Sequence, residues 1–323
     1  MWFEGIQSVD VLDLDALDAG TIHRFWLNMI DNGIGQPVLV PVLIARGTHD
    51  GPVVGITAAV HGNELNGISV VQRVFDQVDV RTLRGTLIGV PVVNVPSLLL
   101  QQRRFVDDED LNRIFPGRPD GNHSEIYAHR FVDRVVHHLD VLLDLHTASF
   151  GRINSYYIRA NLSSPRTARL ADLQNAEIIV DVPGADGTLR SVAADLGIDA
   201  ITVEVGDPNR FQKGLIRSSL TGVFNVLSEL DMIDDAVEEA DRDTVQCSRS
   251  FWMHSDVGGI LRVLPDLTDR VEQGEVVARV RTVFGDIIRE FTAPQDAIVV
   301  GKAVHPVCPS GGRIVHLGIV RTP

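Results

Sequence analysis

Val53-Val-Gly-Ile-Thr-Ala-Ala-Val60, followed at once by His61-Gly62-Asn63-Glu64, is the stretch on which the reading of the fold turns. The apolar run is one strand long, and the residues at 65–75 behind the polar tetrad read as a helix. A further strand is expected at 86–93, a helix at 122–138 with Asn122 or Ser124 as its N-cap, a strand at 140–145, and a short helix beginning at Ser191. A strand at 200–205 and a helix at 215–230 complete the series. Alternating strands and helices of this kind predict an α/β sheet with crossover helices. Upstream, Pro37-Val-Leu-Val-Pro-Val-Leu-Ile-Ala45 reads as extended, with Pro41 suggesting an edge or irregular position.

The pattern changes after the acidic stretch at 231–243, which reads as a linker or helix end. From about Ser248 onward, short apolar runs are separated by Gly258-Gly259, Asp266, Gly274, Gly285, Pro294, Gly301 and Gly311-Gly312, the signature of a small all-β unit. Two domains are therefore expected: 1–245, α/β, and 246–323, all-β. The runs Val271-Glu-Gln-Gly-Glu-Val-Val277 and Ala293-Pro-Gln-Asp-Ala-Ile-Val299 resemble barrel-sandwich domains of the biotinyl/lipoyl type. Those domains carry a modified lysine at a hairpin tip. The corresponding Thr282-Val-Phe-Gly-Asp286 has none, so a structural or site-covering role is expected instead.

Composition narrows the function. The chain has 323 residues, of which 44% are hydrophobic, ample for a large core. No apolar run approaches the ~20 residues that span a bilayer, and Met1-Trp2-Phe3-Glu4 lacks a basic leader followed by an apolar stretch. A net charge of −14 argues against nucleic acid as a partner. Lysine is confined to Lys213 and Lys302, so arginine carries almost all the positive charge. Cys247 and Cys308 make a poor case for a disulfide framework, and a cytoplasmic, reduced protein is expected. The sequence leaves homo-oligomerisation open.

Four stretches carry chemistry. His61-Gly62-Asn63-Glu64 follows a strand end, where open α/β sheets bind their ligands, and presents imidazole and carboxylate close enough to hold one cation. Asp144-Leu145-His146-Thr147 ends another strand; Asp144 and His146 share a face. His146 could complete a His/Glu/His zinc set, with Asp144 supporting a ligand. Taken alone, His146 reads more readily as a capping or satisfied buried histidine. Val203-Glu204-Val205-Gly206 sets an acid among β-branched residues, which is costly unless that acid is paired or functional. Glu204 reads either as a general base beside a metal-activated water or as half of a structural ion pair. Fourth is Arg103-Arg-Phe-Val-Asp-Asp-Glu-Asp-Leu-Asn-Arg-Ile-Phe-Pro-Gly117. There Arg113, next to Asn112, would suit a substrate carboxylate and Arg104 a developing oxyanion, the alternative being a solvated charged loop.

In this order, HGNE at 61–64, DLNRIFPG at 110–117, DLHT at 144–147 and VEVG at 203–206 resemble the succinylglutamate desuccinylase/aspartoacylase family of the zinc carboxypeptidase clan. The resemblance runs from about Val53 to Leu230, and the β-rich tail is similar to the family's C-terminal domain. It implies a mixed-sheet, carboxypeptidase-like α/β domain holding Zn2+ through His61, Glu64 and His146, with Glu204 as base. It further implies that Asn112, Arg113 and Arg190 bind substrate and that Arg104 polarises the scissile carbonyl, Arg103 being the alternative. Aspartoacylase-like members also use a tyrosine from the C-terminal domain. Here Tyr127, Tyr156 and Tyr157 all precede the tail, so N-acetylaspartate is a poor candidate. The expected activity is hydrolysis of a small N-acyl amino acid. A metallocarboxypeptidase acting on peptides and a metal-binding protein without turnover are the competing readings.

Overall fold

The structure, a computed structural model, describes residues 5–184, 187–240 and 243–321. Residues 1–4, examined above for a leader, and residues 241–242 within the acidic stretch lie outside the described residues. Four neighbouring parallel strands form the centre of the main sheet: Arg84–Val90, His49–Ala58, Val141–His146 and Asp199–Val205. On one flank Pro37–Arg46 and then Thr21–Asp31 add antiparallel. On the other, Tyr156–Ala160 runs antiparallel to Asp199–Val205, and Ile178–Asp181 continues the sheet parallel to it. The sheet is mixed, as the family resemblance implied. Pro41 pairs across to Trp26, but the second neighbour of its strand engages only from Leu43 onward, so the proline occupies a locally one-sided stretch.

Side-chain alternation then decides what each face of the sheet carries. Val141, Leu143 and Leu145 face the helices Asn66–Gln77, Pro165–Asp172 and Lys213–Glu229, as do Ile201, Val203 and Val205 on the neighbouring strand. Leu142 and Ala200 point the opposite way, into a second core with the helices His123–Arg134 and Leu189–Asp195. Each fully buried aliphatic side chain contributes roughly 1.5–3 kcal/mol. That packing lets Asp144, His146 and Glu204 take the remaining positions on the second face, at the carboxyl ends of the strands. The helix at 123–134 starts where the sequence indicated: Asn122 accepts from the Glu125 N–H and Glu125 returns the bond, a complete capping box.

The C-terminal β unit forms two layers. Val245–His254, Arg313–Val320, Ala297–Ala303 and Arg270–Val271 extend the main sheet, the first of them pairing parallel with Ile178–Asp181. Ile287–Thr292, Val276–Arg281, Gly259–Val263 and Val307–Cys308 make a separate sheet of four strands. Between the layers lies a core that includes Leu261, Val277, Val280, Phe291, Val299, Ile314 and Leu317. A second ladder ties this unit back to the α/β part of the chain: Arg152–Asn154 pairs antiparallel with Ala297–Ala303. Cys247 and Cys308 are both free and buried. Among the described residues no helix is long and apolar enough to cross a membrane.

Candidate active site

The chain leaves the strand His49–Ala58 through Ala59, at φ +50°, and closes a turn in which the Glu64 N–H donates to the His61 carbonyl at 3.1 Å. Gly62 packs so tightly on the helix Val95–Leu99 that a Cβ would lie 2.0 Å from the Ser97 carbonyl carbon, which restricts the position to glycine. The Asn63 amide exchanges hydrogen bonds with the Ser149 hydroxyl at 2.9 and 3.1 Å, fixing this turn to the loop that follows His146.

Three buried side chains meet in the space so formed. His61 Nδ1 lies 2.9 Å from Glu64 Oε1, and His146 Nδ1 lies 2.9 Å from Glu64 Oε2. Each ring turns its other nitrogen to a carboxylate, His61 Nε2 to Asp110 at 2.9 Å and His146 Nε2 to Asp144 at 2.7 Å. Asp144 in turn accepts from the Thr57 hydroxyl at 2.7 Å. One ligand atom from each of His61, Glu64 and His146 can be chosen so that all lie within 4.8 Å of one another. Carboxylates behind the histidines are the arrangement that fixes the tautomer of a metal-binding imidazole and leaves its inner lone pair for the cation.

Electrostatics support a cation at this point. Burial opposes a charge on Glu64, yet His61 and His146 outweigh it and hold the carboxyl below its usual range. Burial likewise opposes a proton on His146, and Asp144 and Glu64 overcome it, raising its pKa. Asp110 is lowered against burial by its hydrogen bond from His61 and by the charges of His61, Arg103 and Arg113. A cavity that retains anionic carboxylates and favours positive charge at His146 fits a divalent metal. Two imidazoles and one carboxylate are also a donor set that zinc takes while keeping a coordination position open.

Glu204 stands beside His146 in the parallel ladder, the two being register partners. Its Oε2 accepts from the Asn154 amide at 3.1 Å, and the residue keeps partial exposure in the cleft. The protein mass around it raises its pKa; the Glu64 charge adds to this, while His146, Arg159 and Arg103 pull the other way.

The neighbouring arginines at 103 and 104 separate cleanly. Arg103 Nη1 donates to Glu64 Oε1 at 2.9 Å and approaches His61 Nδ1 at 3.3 Å, while its Nε donates to Asp110 at 3.0 Å. Arg104 is half-exposed; its Nη1 donates to the Asp108 carbonyl at 2.6 Å, away from the cluster. Of the two candidates the sequence offers, the structure brings Arg103, and not Arg104, to the His61/Glu64/His146 cluster. The loop that carries them is irregular and turns the second guanidinium outward. Asn112 is buried: its Oδ1 accepts from the Leu189 N–H at 2.8 Å and its Nδ2 lies 3.3 Å from His146 Nε2. Arg113 is exposed on the same short turn, with Nη1 donating to the Asn112 carbonyl at 2.6 Å. Arg190 is buried in the first turn of Leu189–Asp195. Asp110 and Asn154, which contact His61 and Glu204, have no role in the sequence reading. Asp110 was hidden in an acidic run, although it immediately precedes the LNR stretch.

Residues 50–230, more than half of the chain, match the model of the succinylglutamate desuccinylase/aspartoacylase catalytic domain. The chain belongs to this family. Among the family's curated members, it is 25% identical over 298 residues to the N-alpha-acetyl-L-2,4-diaminobutyric acid deacetylase of Halomonas elongata, covering 88% of this chain and 87% of that one. To the succinylglutamate desuccinylase of Pseudomonas aeruginosa it is 26% identical over 230 residues, 62% of this chain and 68% of that one. Of the family's solved structures, the succinylglutamate desuccinylase/aspartoacylase from Rhodobacter sphaeroides superposes with a TM-score of 0.87 at 23% identity, covering 97% and 98% of the two chains. The product-bound ectoine utilization protein from Ruegeria pomeroyi superposes with a TM-score of 0.86 at 21% identity, covering 96% and 99%. These superpositions establish the shared fold, C-terminal unit included.

Proposed function

We propose that this protein hydrolyses the amide bond of a small N-acyl amino acid, using a zinc ion held by His61, Glu64 and His146. The observation that carries the proposal is the convergence of those three buried side chains with Glu204 beside them on one face of the sheet. Zinc in such a site supplies Lewis acidity toward a carbonyl oxygen and toward water. Glu204 takes the proton of the attacking water and delivers it to the leaving amine. A carboxyl whose pKa is raised by burial suits a group that must hold that proton between the two events. Asn154, donating to Oε2, holds the Glu204 carboxylate in place. Arg103, with its guanidinium already at the cluster, donates hydrogen bonds to the oxyanion that develops on the carbonyl. Arg113 meets the substrate carboxylate from the exposed side, Asn112 braces that turn against the helix at 189–195, and Arg190 supports the same wall.

Small substrates are favoured over peptides because the C-terminal unit approaches the site. Trp252 lies against Arg152, two residues before the Asn154 that touches the base, and Arg313 lies against the same Trp252 ring. Two relatives act, by their names, on N-acetyl-diaminobutyrate and on succinylglutamate, which sets the substrate class to try.

The test combines metal analysis with a substrate panel. The protein purified without chelators should carry about one zinc per chain, sharply reduced in His61→Ala and His146→Ala. The zinc-loaded protein should release free amine from at least one N-acyl amino acid and from no blocked dipeptide. Full zinc retention in both variants, or turnover of peptides alone, would overturn the proposal.

A further inference from the structure

Glu204 differs from His61, Glu64 and His146 in how its side chain is held. Its backbone is set by ladders on either side, parallel to the strand of His146 and antiparallel to that of Tyr157. These ladders settle where its Cβ lies, but the carboxylate hangs from several further torsions, each with more than one well. A contact at the carboxylate itself has to select among them. The Asn154 amide, donating to Oε2 at 3.1 Å, is such a contact.

Asn154 in turn owes its place to the C-terminal unit. Among the described residues, its strand Arg152–Asn154 pairs with no strand other than Ala297–Ala303. The flanks of this short strand are clamped by the same stretch of chain. The Gly151 carbonyl accepts from the N–H groups of Val304 at 2.8 Å and His305 at 3.1 Å. The N–H and the hydroxyl of Ser155 both donate to the Val300 carbonyl at 3.0 Å. Directly opposite Asn154 in the ladder stands Gly301. Side chains at such opposed positions share a face, with Cβ atoms only about 4.5–5.5 Å apart. A Cβ on Gly301 would lie 2.5 Å from Asn154 Oδ1 and 3.1 Å from the Ile153 carbonyl oxygen, so the amide would have to turn away. Gly301 does not adopt a positive φ, so backbone conformation does not demand glycine there. The room taken by the Asn154 amide does.

We infer that Gly301 is a positioning residue for the base: by leaving the Asn154 amide its room, the C-terminal unit sets the orientation of the Glu204 carboxylate through a residue that itself touches neither metal ligand nor base. This rests on the deacylase reading above, in which Glu204 carries the proton. A reacting group displaced by about 1 Å can lose about 10²-fold in rate, so a contact that only orients the carboxylate still bears on turnover. The C-terminal unit is then a working part of the site as well as a wall beside it.

The experiment is a double-mutant cycle on the full chain, with zinc content and melting temperature measured for every variant. The probes are N-acetyl-L-2,4-diaminobutyrate and N-succinyl-L-glutamate, the compounds named for the relatives. Asn154→Ala should lower kcat by about tenfold or more, the scale of a hydrogen bond to a charged group, and leave KM within about twofold. Gly301→Ala should cost a comparable factor in kcat at unchanged zinc content. In the Asn154→Ala background the same Gly301→Ala change should cost nothing further, because the oxygen it crowds is gone. Should Gly301→Ala alone fail to fold, that comparison of the double variant with Asn154→Ala carries the test. Val280→Ala is the control for general loosening: it opens a cavity in the core of the C-terminal unit and should lower the melting temperature while kcat stays within about twofold. A second readout needs no turnover. The side-chain amide signals of Asn154, assigned by their absence from Asn154→Ala, should shift in 15N–1H spectra of both Gly301→Ala and Glu204→Ala, since each change ends the same hydrogen bond. Wild-type kcat in Asn154→Ala, a further loss in the double variant, an equal loss in Val280→Ala, or unshifted Asn154 signals in Gly301→Ala overturns the inference. Shifted signals in a protein that turns over neither probe support the positioning while counting against the deacylase reading; turnover that ignores Asn154 and Gly301 does the reverse.

Discussion

Replacing Arg103 and Arg104 one at a time gives the sharpest test of the site, because two identical neighbours are assigned opposite roles. Arg103 makes three charge-assisted contacts at the cluster: Nη1 to Glu64 at 2.9 Å, and Nε and Nη2 to Asp110, each at 3.0 Å. Arg104 makes one contact with a backbone carbonyl and a long 3.7 Å approach to the exposed Asp108. If Arg103 meets charge that appears only in the transition state, Arg103→Ala should lower kcat by about 10²–10³, or about 2.7–4 kcal/mol, with a smaller effect on KM. Arg103→Lys should recover part of this, since it keeps the charge and loses the fork. Arg104→Ala removes an exposed ion pair worth at most about 1 kcal/mol and should stay within a few fold of wild type. Steady-state kinetics on the three variants, with zinc content measured on each, decide the matter. A crippled Arg104→Ala beside an active Arg103→Ala would refute the assignment; equal losses in zinc and in kcat for Arg103→Ala would make Arg103 a support for Glu64 instead.

Three further outcomes follow from the geometry. Asp110→Asn and Asp144→Asn keep the shape behind each histidine but remove its anionic acceptor, so zinc affinity should fall about 10–100-fold in chelator competition; unchanged affinity would show that the histidines need no such support. Glu204→Gln should retain zinc and fold while kcat falls about 10²–10⁴-fold, and activity within a few fold of wild type would return Glu204 to a purely structural pairing. Cys247 is buried in the sheet, which pushes its thiol up to about 12. It is therefore neutral at pH 8 and should react with a thiol reagent only after unfolding, and prompt labelling of the native protein would contradict its burial.

What the sequence disclosed follows strand periodicity closely. His61, Glu64, His146 and Glu204 end or follow apolar runs long enough to be recognised as strands, and alternation alone sets Asp144 and His146 on one face. Between 101 and 109 no period exists, so nothing in the order of residues distinguishes Arg103 from Arg104. The strands Arg152–Asn154, Tyr156–Ala160 and Ile178–Asp181 escaped notice because they are short and owe their existence to neighbours far along the chain. Arg152, Trp252 and Arg313 are brought together by the same long-range ladders. Tertiary pairing of that kind leaves no local trace.

One ladder has a consequence for how the protein can be cut or recombined. The strand bearing Asn154, the donor to Glu204, finds its pairing partner in Ala297–Ala303, and Ile178–Asp181 finds its outer neighbour in Val245–His254. A chain shortened before residue 245 would lose the scaffold beneath Glu204 and bare the backbone of an apolar strand to other copies of itself. Exchanging this tail between relatives would transplant half of a seam, and the graft would have to match Asn154, Arg152 and the Ile178–Asp181 edge together.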